Sequence, residues 1–322
     1  MTAQGKFVAP TRRPGELGVH SVDEFVFTVP DLAVASDFHK AFGLDVREEG
    51  QGIGLYTKGH PHRWATVREG SGRTKRLHHL SFGLYEEDLV AFAGRLQALG
   101  VKRIDPPPGF ETNGIWFRDG DGTPVEVHVA EKSSPAEKAK AEVAAQPPRA
   151  GVGAAPKRSQ AGTTSPNRLA HLLLFTPDVD AAVRFYGRVL GLRLSDRSGN
   201  NIAFMHGIHG SDHHMVAFVK SDAPGLHHTS WDVGTIHEVG LGAAQMADKG
   251  FSRGWGLGRH VLGSNFFHYV RDPWGSYAEY SCDIDFIPAD MDWESGDHDG
   301  EDAFYVWGPT PPDDFAVNYE KA

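Results

Sequence analysis

Residues 25–46, FVFTVPDLAVASDFHKAFGLDV, and residues 172–194, LLLFTPDVDAAVRFYGRVLGLRL, decide the fold. Each opens as an apolar strand, turns at Pro-Asp, continues as an amphipathic helix and closes on Gly-Leu. The Asp suits the N-cap or first turn, where its carboxylate meets free N–H groups and the positive end of the helix dipole. The Gly suits a helix C-cap, which favours a left-handed conformation. Downstream of each copy stands a strand led by a His pair, LHHLSFGL at 77–84 and LHHTSWDV at 226–233. A helix follows each. Leu89, Phe92, Leu96 and Leu99 share one helical face, as do Ile236, Val239, Ala243 and Met246. IWFRDGDGTPVEVHV (115–129) and FHYVRDPWGSYAEYS (267–281) then read as strand, Arg-Asp turn and strand.

The pattern also repeats within each half. It runs over 22–72, 76–131, 169–220 and 226–282. Four copies of one β-α-β-β-β unit predict an α+β fold of two domains, each made of paired modules. One short sheet cannot bury its own face, so two sheets curling toward each other would form a cup suited to a small ligand. The boundaries that follow are an N-terminal domain at 20–131, a linker at 132–168, a C-terminal domain at 169–285 and a tail at 286–322. In the linker, Val143 and Val152 are the only apolar side chains larger than Ala or Pro, too little to offset the entropy of ordering it. Residues 135–145 are its one candidate helical start.

The composition excludes several classes. With 322 residues, 40% hydrophobic and 23% charged, the chain is neither fibrous nor disordered throughout. Its apolar runs, such as Leu172–Phe175, fall far short of the roughly 18 residues of a membrane span, and no signal peptide is visible. A lone Cys282 fits a reducing, cytoplasmic setting. The net charge of −10 sits in residues 283–322, where twelve acids face one base. The remainder is near neutral and has no basic field for nucleic acid. Seven aromatics accompany those acids, from Phe286 to Tyr319, so the tail is expected to pack on the body. It leaves the last strand shortly after Glu279. A lid over the cup is one expectation for it, and a subunit interface the other.

Eleven of the 18 His follow residue 168. His171 opens the first strand of the third unit, His228 the equivalent strand of the fourth, and Glu279 lies on the last strand of the fourth. If the two units face each other, the three converge on one cup floor. Two His and one carboxylate on one face, with other positions open, suit Fe(II) or Mn(II). A single strand His is more often a core residue; matched places in a repeat are what mark these three.

The stretch GLGRHVLGSNFFHYVRDPWGSYAEYSCDID, 256–285, resembles the signature of type I extradiol ring-cleavage dioxygenases of the vicinal oxygen chelate superfamily. The matching residues are His260, Tyr269 and Glu279. LAHLLLFTPD (169–178) is similar to the segment carrying the first metal His, here His171, and LHHTSWDV to that carrying the second, here His228. DHHMVAFV (212–219) is similar to the strand bearing the second-sphere acid/base, here His214. The resemblance implies Fe(II) as cofactor, with Mn(II) as the alternative, held by His171, His228 and Glu279. It implies a catecholic substrate, dioxygen and a muconic semialdehyde-type product. It further implies His214 as acid/base, Tyr269 and His260 as hydrogen-bonding partners of substrate oxygens, and a homo-oligomer, a tetramer by analogy.

The first half departs from that pattern. Register with the second half places Glu24 at the position of His171, His79 at that of His228 and Glu126 at that of Glu279. A decayed site kept for packing is the favoured reading, against a second, carboxylate-rich metal site. His206, His209 and His213 crowd before His214, either lining the cup mouth or lying on a solvated loop. Two rival functions remain at this stage. A glyoxalase-like isomerase or thiol transferase would use four ligands, and a metal-free small-molecule-binding protein would use none.

Overall fold

The computed structural model describes residues 11–139 and 149–321. The first module comprises β1 (Ser21–Val29), α1 (Leu32–Ala41), β2 (Asp45–Glu49), β3 (Gly52–Tyr56) and β4 (Arg63–Glu69). The second comprises β5 (Arg76–Leu84), α2 (Leu89–Ala98), β6 (Ile115–Arg118) and β7 (Pro124–Val129). The third contains β8 (Arg168–Thr176), α3 (Val179–Leu190), β9 (Arg193–Ser198), β10 (Ile202–His206), the short β11 (Ser211–Asp212) and β12 (Val216–Lys220). The fourth contains β13 (Gly225–Asp232), α4 (Ile236–Asp248), β14 (Gly254–His260), β15 (Phe266–Arg271) and β16 (Tyr277–Cys282). The tail adds β17 (Phe286–Ile287), β18 (Gly296–Asp297), α5 (Gly300–Ala303) and β19 (Tyr305–Trp307).

The helix starts follow the sequence reading. Asp31 accepts hydrogen bonds from the N–H groups of Ala33 and Val34, and Asp178 accepts from that of Ala181. Gly191 closes α3 at φ 81°, a conformation that a side chain would strain. Phe92 and Leu96 of α2, and Val239 and Met246 of α4, are buried as the helical spacing requires. The second module is one strand short of the expected unit. Where its first post-helix strand would run, a single bridge pairs Arg103 with Phe117. Pro106, Pro107 and Pro108 follow directly and lack the N–H groups a ladder needs.

Each half is one continuous sheet rather than two facing ones. The first has the order β2-β3-β4-β1-β5-β7-β6; the second runs β18-β9-β10-β12-β8-β13-β16-β15-β14-β19. In both, an antiparallel central pair joins the modules, β1 with β5 and β8 with β13. The tail extends both ends of the second sheet, so it packs on the body as its aromatics predict. Residues 135–139 are not helical, and the rest of the expected helical start lies outside the described residues.

The two halves share one hydrophobic core. Phe42 stacks on Tyr280 at 3.9 Å between ring centroids, and the Tyr280 hydroxyl donates to the Phe42 carbonyl at 2.8 Å. Such an aromatic pair is worth about 0.5–1.5 kcal/mol beyond its buried area. Lys75 and Asp272 form a buried ion pair at 2.7 Å across the same boundary. The ring of Tyr280 also lies where a Cβ on Gly242 would sit, which explains that glycine inside the packed face of α4.

Candidate metal centre and active site

Strand register assembles the centre. His171 on β8 stands opposite Ser230 on β13, and Ser230 stands opposite Glu279 on β16. His228 lies two residues before Ser230 and so on the same face of its strand. Three adjacent strands thus deliver two imidazoles and a carboxylate to one point. His171 Nε2 lies 3.3 Å from His228 Nε2 and 3.3 Å from Glu279 Oε2, and His228 Nε2 lies 3.6 Å from Glu279 Oε2. A point equidistant from three atoms so arranged is about 2 Å from each, the usual length of metal bonds to imidazole and carboxylate. All three residues are buried.

The donor set fits a metal ion. Asn265 Nδ2 donates to Glu279 Oε1 at 3.2 Å, whereas Glu279 Oε2, turned toward the two imidazoles, is buried with no hydrogen-bond partner. A buried carboxylate oxygen without a donor is costly unless a cation meets it. Burial, reinforced by the neighbouring His227, His171 and His260, pushes His228 well below the usual imidazole range, which keeps it neutral and able to donate a lone pair. No fourth His, Cys, Asp or Glu joins this group among the described residues, whereas the isomerase reading expects four ligands.

The register of the first half is the same. Glu24 pairs with Ser81, and Ser81 with Glu126. Yet Glu24 is held by Arg63 at 2.9 and 3.0 Å, and Glu126 accepts hydrogen bonds from Ser81 and Thr112. His79 packs against Phe110 and Trp116. An arginine and hydroxyls thus occupy those carboxylates.

The centre opens on a cavity of about 260 Å³. Leu173, Ile202, Phe204 and Val219 line it from the third module, Tyr269 and His260 from the fourth, and Phe304 and Phe315 from the tail. His214 lies against His171 with ring centroids 4.0 Å apart. Burial first, then the imidazoles of His171, His213, His228 and His260, depress its pKa well below the usual value. His260 Nδ1 donates to the Phe304 carbonyl at 2.9 Å, leaving Nε2 to accept from the Tyr269 hydroxyl, also at 2.9 Å. Burial, followed by the charge of Glu279, raises Tyr269 well above the ordinary phenol range and keeps it a hydrogen-bond donor.

Two partners behind these residues were not legible in the sequence. His213 does not line the cup mouth. Its Nε2 donates to Asp196 at 2.9 Å, and its Nδ1 lies 3.0 Å from Nδ1 of His214. In the tautomer in which His213 Nδ1 accepts, His214 donates through Nδ1 and carries its lone pair on Nε2. Burial works against ionisation of Asp196, but hydrogen bonds from His213, His298 and Gly296 outweigh it and bring its pKa down to about 2. His227 occupies the corresponding place behind His228, at 2.8 Å between the two Nδ1 atoms. His206 bonds to Ser195, and His209 accepts from the Arg13 N–H, so neither is exposed in a solvated loop. A doubled His is the only sequence mark of these pairs.

Among the described residues, no helix is long and apolar enough to cross a membrane. The family model of the Glyoxalase/Bleomycin resistance protein/Dioxygenase superfamily matches residues 21–127 and 168–280. Metapyrocatechase 2 of Cupriavidus necator is 48% identical over 312 residues, covering 97% of this chain and 96% of that protein. The fold is similar to that of an extradiol ring-cleaving dioxygenase from Brevibacterium fuscum, with a TM-score of 0.73 and 21% identity over 98% of this chain and 84% of that one. It is equally similar to a Mn(II)-bound glyoxalase from Novosphingobium aromaticivorans, with a TM-score of 0.73 and 22% identity over 92% of this chain and 93% of that one. The fold is therefore common to oxygenases and glyoxalases, and the near-full-length identity to a metapyrocatechase separates them: the chain belongs to the Glyoxalase/Bleomycin resistance protein/Dioxygenase superfamily and, within it, to the extradiol ring-cleavage dioxygenases.

Proposed function

We propose that this enzyme opens the ring of a catecholic aromatic beside its two hydroxyls, incorporating both atoms of dioxygen to give a muconic semialdehyde-type product. The metal is Fe(II), held by His171, His228 and Glu279; Mn(II) suits the same donors. When bound, the ion supplies Lewis acidity toward the catechol oxygens and a path for electrons between ring and dioxygen. The observation that carries this reading is the unpartnered Glu279 Oε2 facing two imidazole nitrogens on the wall of an apolar cavity.

The chain's own residues do the rest. The free Nε2 of neutral His214 takes a proton from a catechol hydroxyl and later returns it to an oxygen of the opening ring. Tyr269 and His260 line the cavity hydrogen-bonded to each other, and on substrate binding the Tyr269 hydroxyl turns from His260 Nε2 to donate to a substrate oxygen. Phe204, Phe304 and Phe315 flank the ring and keep water from the reacting atoms. We assign catalysis to residues 169–285 with the tail 286–322, a scaffold role to 20–131, a linking role to 132–168, and a homo-oligomeric assembly.

Oxygen uptake with a panel of catechols, read beside the yellow absorbance of the ring-opened product, tests the reaction. One dioxygen consumed per product, dependent on Fe(II), is expected. Catechol-independent metal binding with no uptake would point to the isomerase instead. Metal analysis decides between iron and manganese, and sedimentation decides the assembly.

A further inference from the structure

His227 is buried next to the proposed ligand His228 and also lines the cavity. Its ring is clamped among Phe175, Tyr277 and Phe315, with centroids 5.0, 5.7 and 4.9 Å away. Its Nε2 lies 2.8 Å from the carbonyl oxygen of Phe315 in the tail. Its Nδ1 lies 2.8 Å from Nδ1 of His228.

These contacts fix where the hydrogens lie. A backbone carbonyl can only accept, so His227 Nε2 carries the hydrogen. The Nδ1 of a neutral His227 is then a lone pair, and Nδ1 of His228 must be the donor to it. The lone pair of His228 consequently sits on Nε2, the atom that faces His171 and Glu279 at 3.3 and 3.6 Å. Reversing any link would set two lone pairs or two hydrogens against each other in a buried contact.

Building on the metal assignment made above, we propose that His227 is a positioning residue which, anchored by the Phe315 carbonyl of the tail, locks His228 in the Nδ1–H tautomer and so holds its Nε2 ready for the metal. The tail thereby acts on the metal centre itself and not only as a wall of the cavity. Hydrogen bonds of this kind behind a ligand are worth about 10–100-fold in metal affinity.

Two substitutions separate this role from packing. His227→Asn places a carbonyl oxygen near the position of Nδ1 and can still accept from His228. His227→Leu fills the aromatic clamp better but offers no acceptor. The probe is Mn(II), titrated into the metal-stripped full-length protein, with the thermal midpoint of each variant recorded. The wild-type protein must bind Mn(II), and failure there would count against the metal assignment, not against the role of His227. Given that binding, a loss of 10-fold or more for the Leu variant, with the Asn variant within about 3-fold of wild type, is expected from the affinity range above. Equal affinity for all three proteins, or a loss confined to Asn, would overturn the proposal. Should the Leu variant fail to fold, nitrogen NMR of the histidine-labelled, metal-stripped wild type decides alone. A hydrogen on His228 Nδ1 is expected there, and one on Nε2 would refute it.

Discussion

Oε1 of Glu320 accepts the N–H of Leu226 at 2.8 Å, two residues before His228. Its other oxygen accepts the N–H of Leu77, also at 2.8 Å. Leu77 and Leu226 are the leading residues of the two LHH strands, so one carboxylate near the chain's end ties the same point of both halves. Burial pushes this carboxyl up to about 7, against the opposing pull of those two N–H groups.

Replacing Glu320 therefore has two readable effects. Glu320→Ala leaves one buried and one half-buried N–H group without an acceptor and should cost about 2 kcal/mol, seen as a lower denaturation midpoint. The pH dependence has a definite sign. The folded pKa exceeds the unfolded value of 4.5, so between those limits the native state binds the extra proton. The contribution of Glu320 to stability is thus greatest below pH 4.5, declines as pH rises to about 7, and is level above that. Glu320→Gln should flatten this part of the profile, and an identical slope in both proteins would exclude Glu320 as its source.

His171→Ala, His228→Ala and Glu279→Ala should each abolish bound iron and oxygen uptake while the circular dichroism stays native. His79→Ala and Glu126→Ala should leave iron content unchanged, because Glu126 is occupied by hydroxyl donors and Glu24 by Arg63. Chelation of the wild type should lower its thermal midpoint, since it exposes Glu279 Oε2 as an unpaired buried group. Loss of iron on changing His79 would place the metal centre in the first half instead.

His214→Asn keeps a polar group beside His171 but cannot shuttle a proton near neutral pH. Turnover should fall by about 10²-fold or more at unchanged metal content and catechol affinity. Single-turnover kinetics provides the check. Full turnover across the pH range would place the proton transfer elsewhere.

Among the described residues, the cavity lining holds no Lys or Arg to meet an anionic ring substituent, and its body is Leu173, Ile202, Phe204, Val219 and Phe304. Burying a carboxylate among such side chains without a partner is strongly disfavoured. The kcat/KM for catechol or an alkylcatechol should exceed that for a carboxymethyl-substituted catechol by about 10²-fold or more, corresponding to at least ~3 kcal/mol of transition-state binding. Comparable constants for the two would show that an anion finds a partner the cavity does not display.

The sequence by itself determined the four-fold repeat, the caps at Asp31 and Asp178, and the positions of His171, His228 and Glu279. These are properties of short range and fixed period: strand alternation sets which face a side chain takes, and equivalent places in a repeat carry that face from one module to the next. Even the register of Glu24, His79 and Glu126 was legible on those grounds. Tertiary structure alone decided that the first half is filled by Arg63 and hydroxyls, that each half is one continuous sheet, and that prolines shorten the second module. It alone placed the Phe315 carbonyl behind His227, 88 residues distant, and Asp196 behind His213. Neither pairing leaves a local pattern, because a hydrogen bond between remote segments depends on where the packed core puts them, and a doubled His reads the same with or without an acceptor behind it.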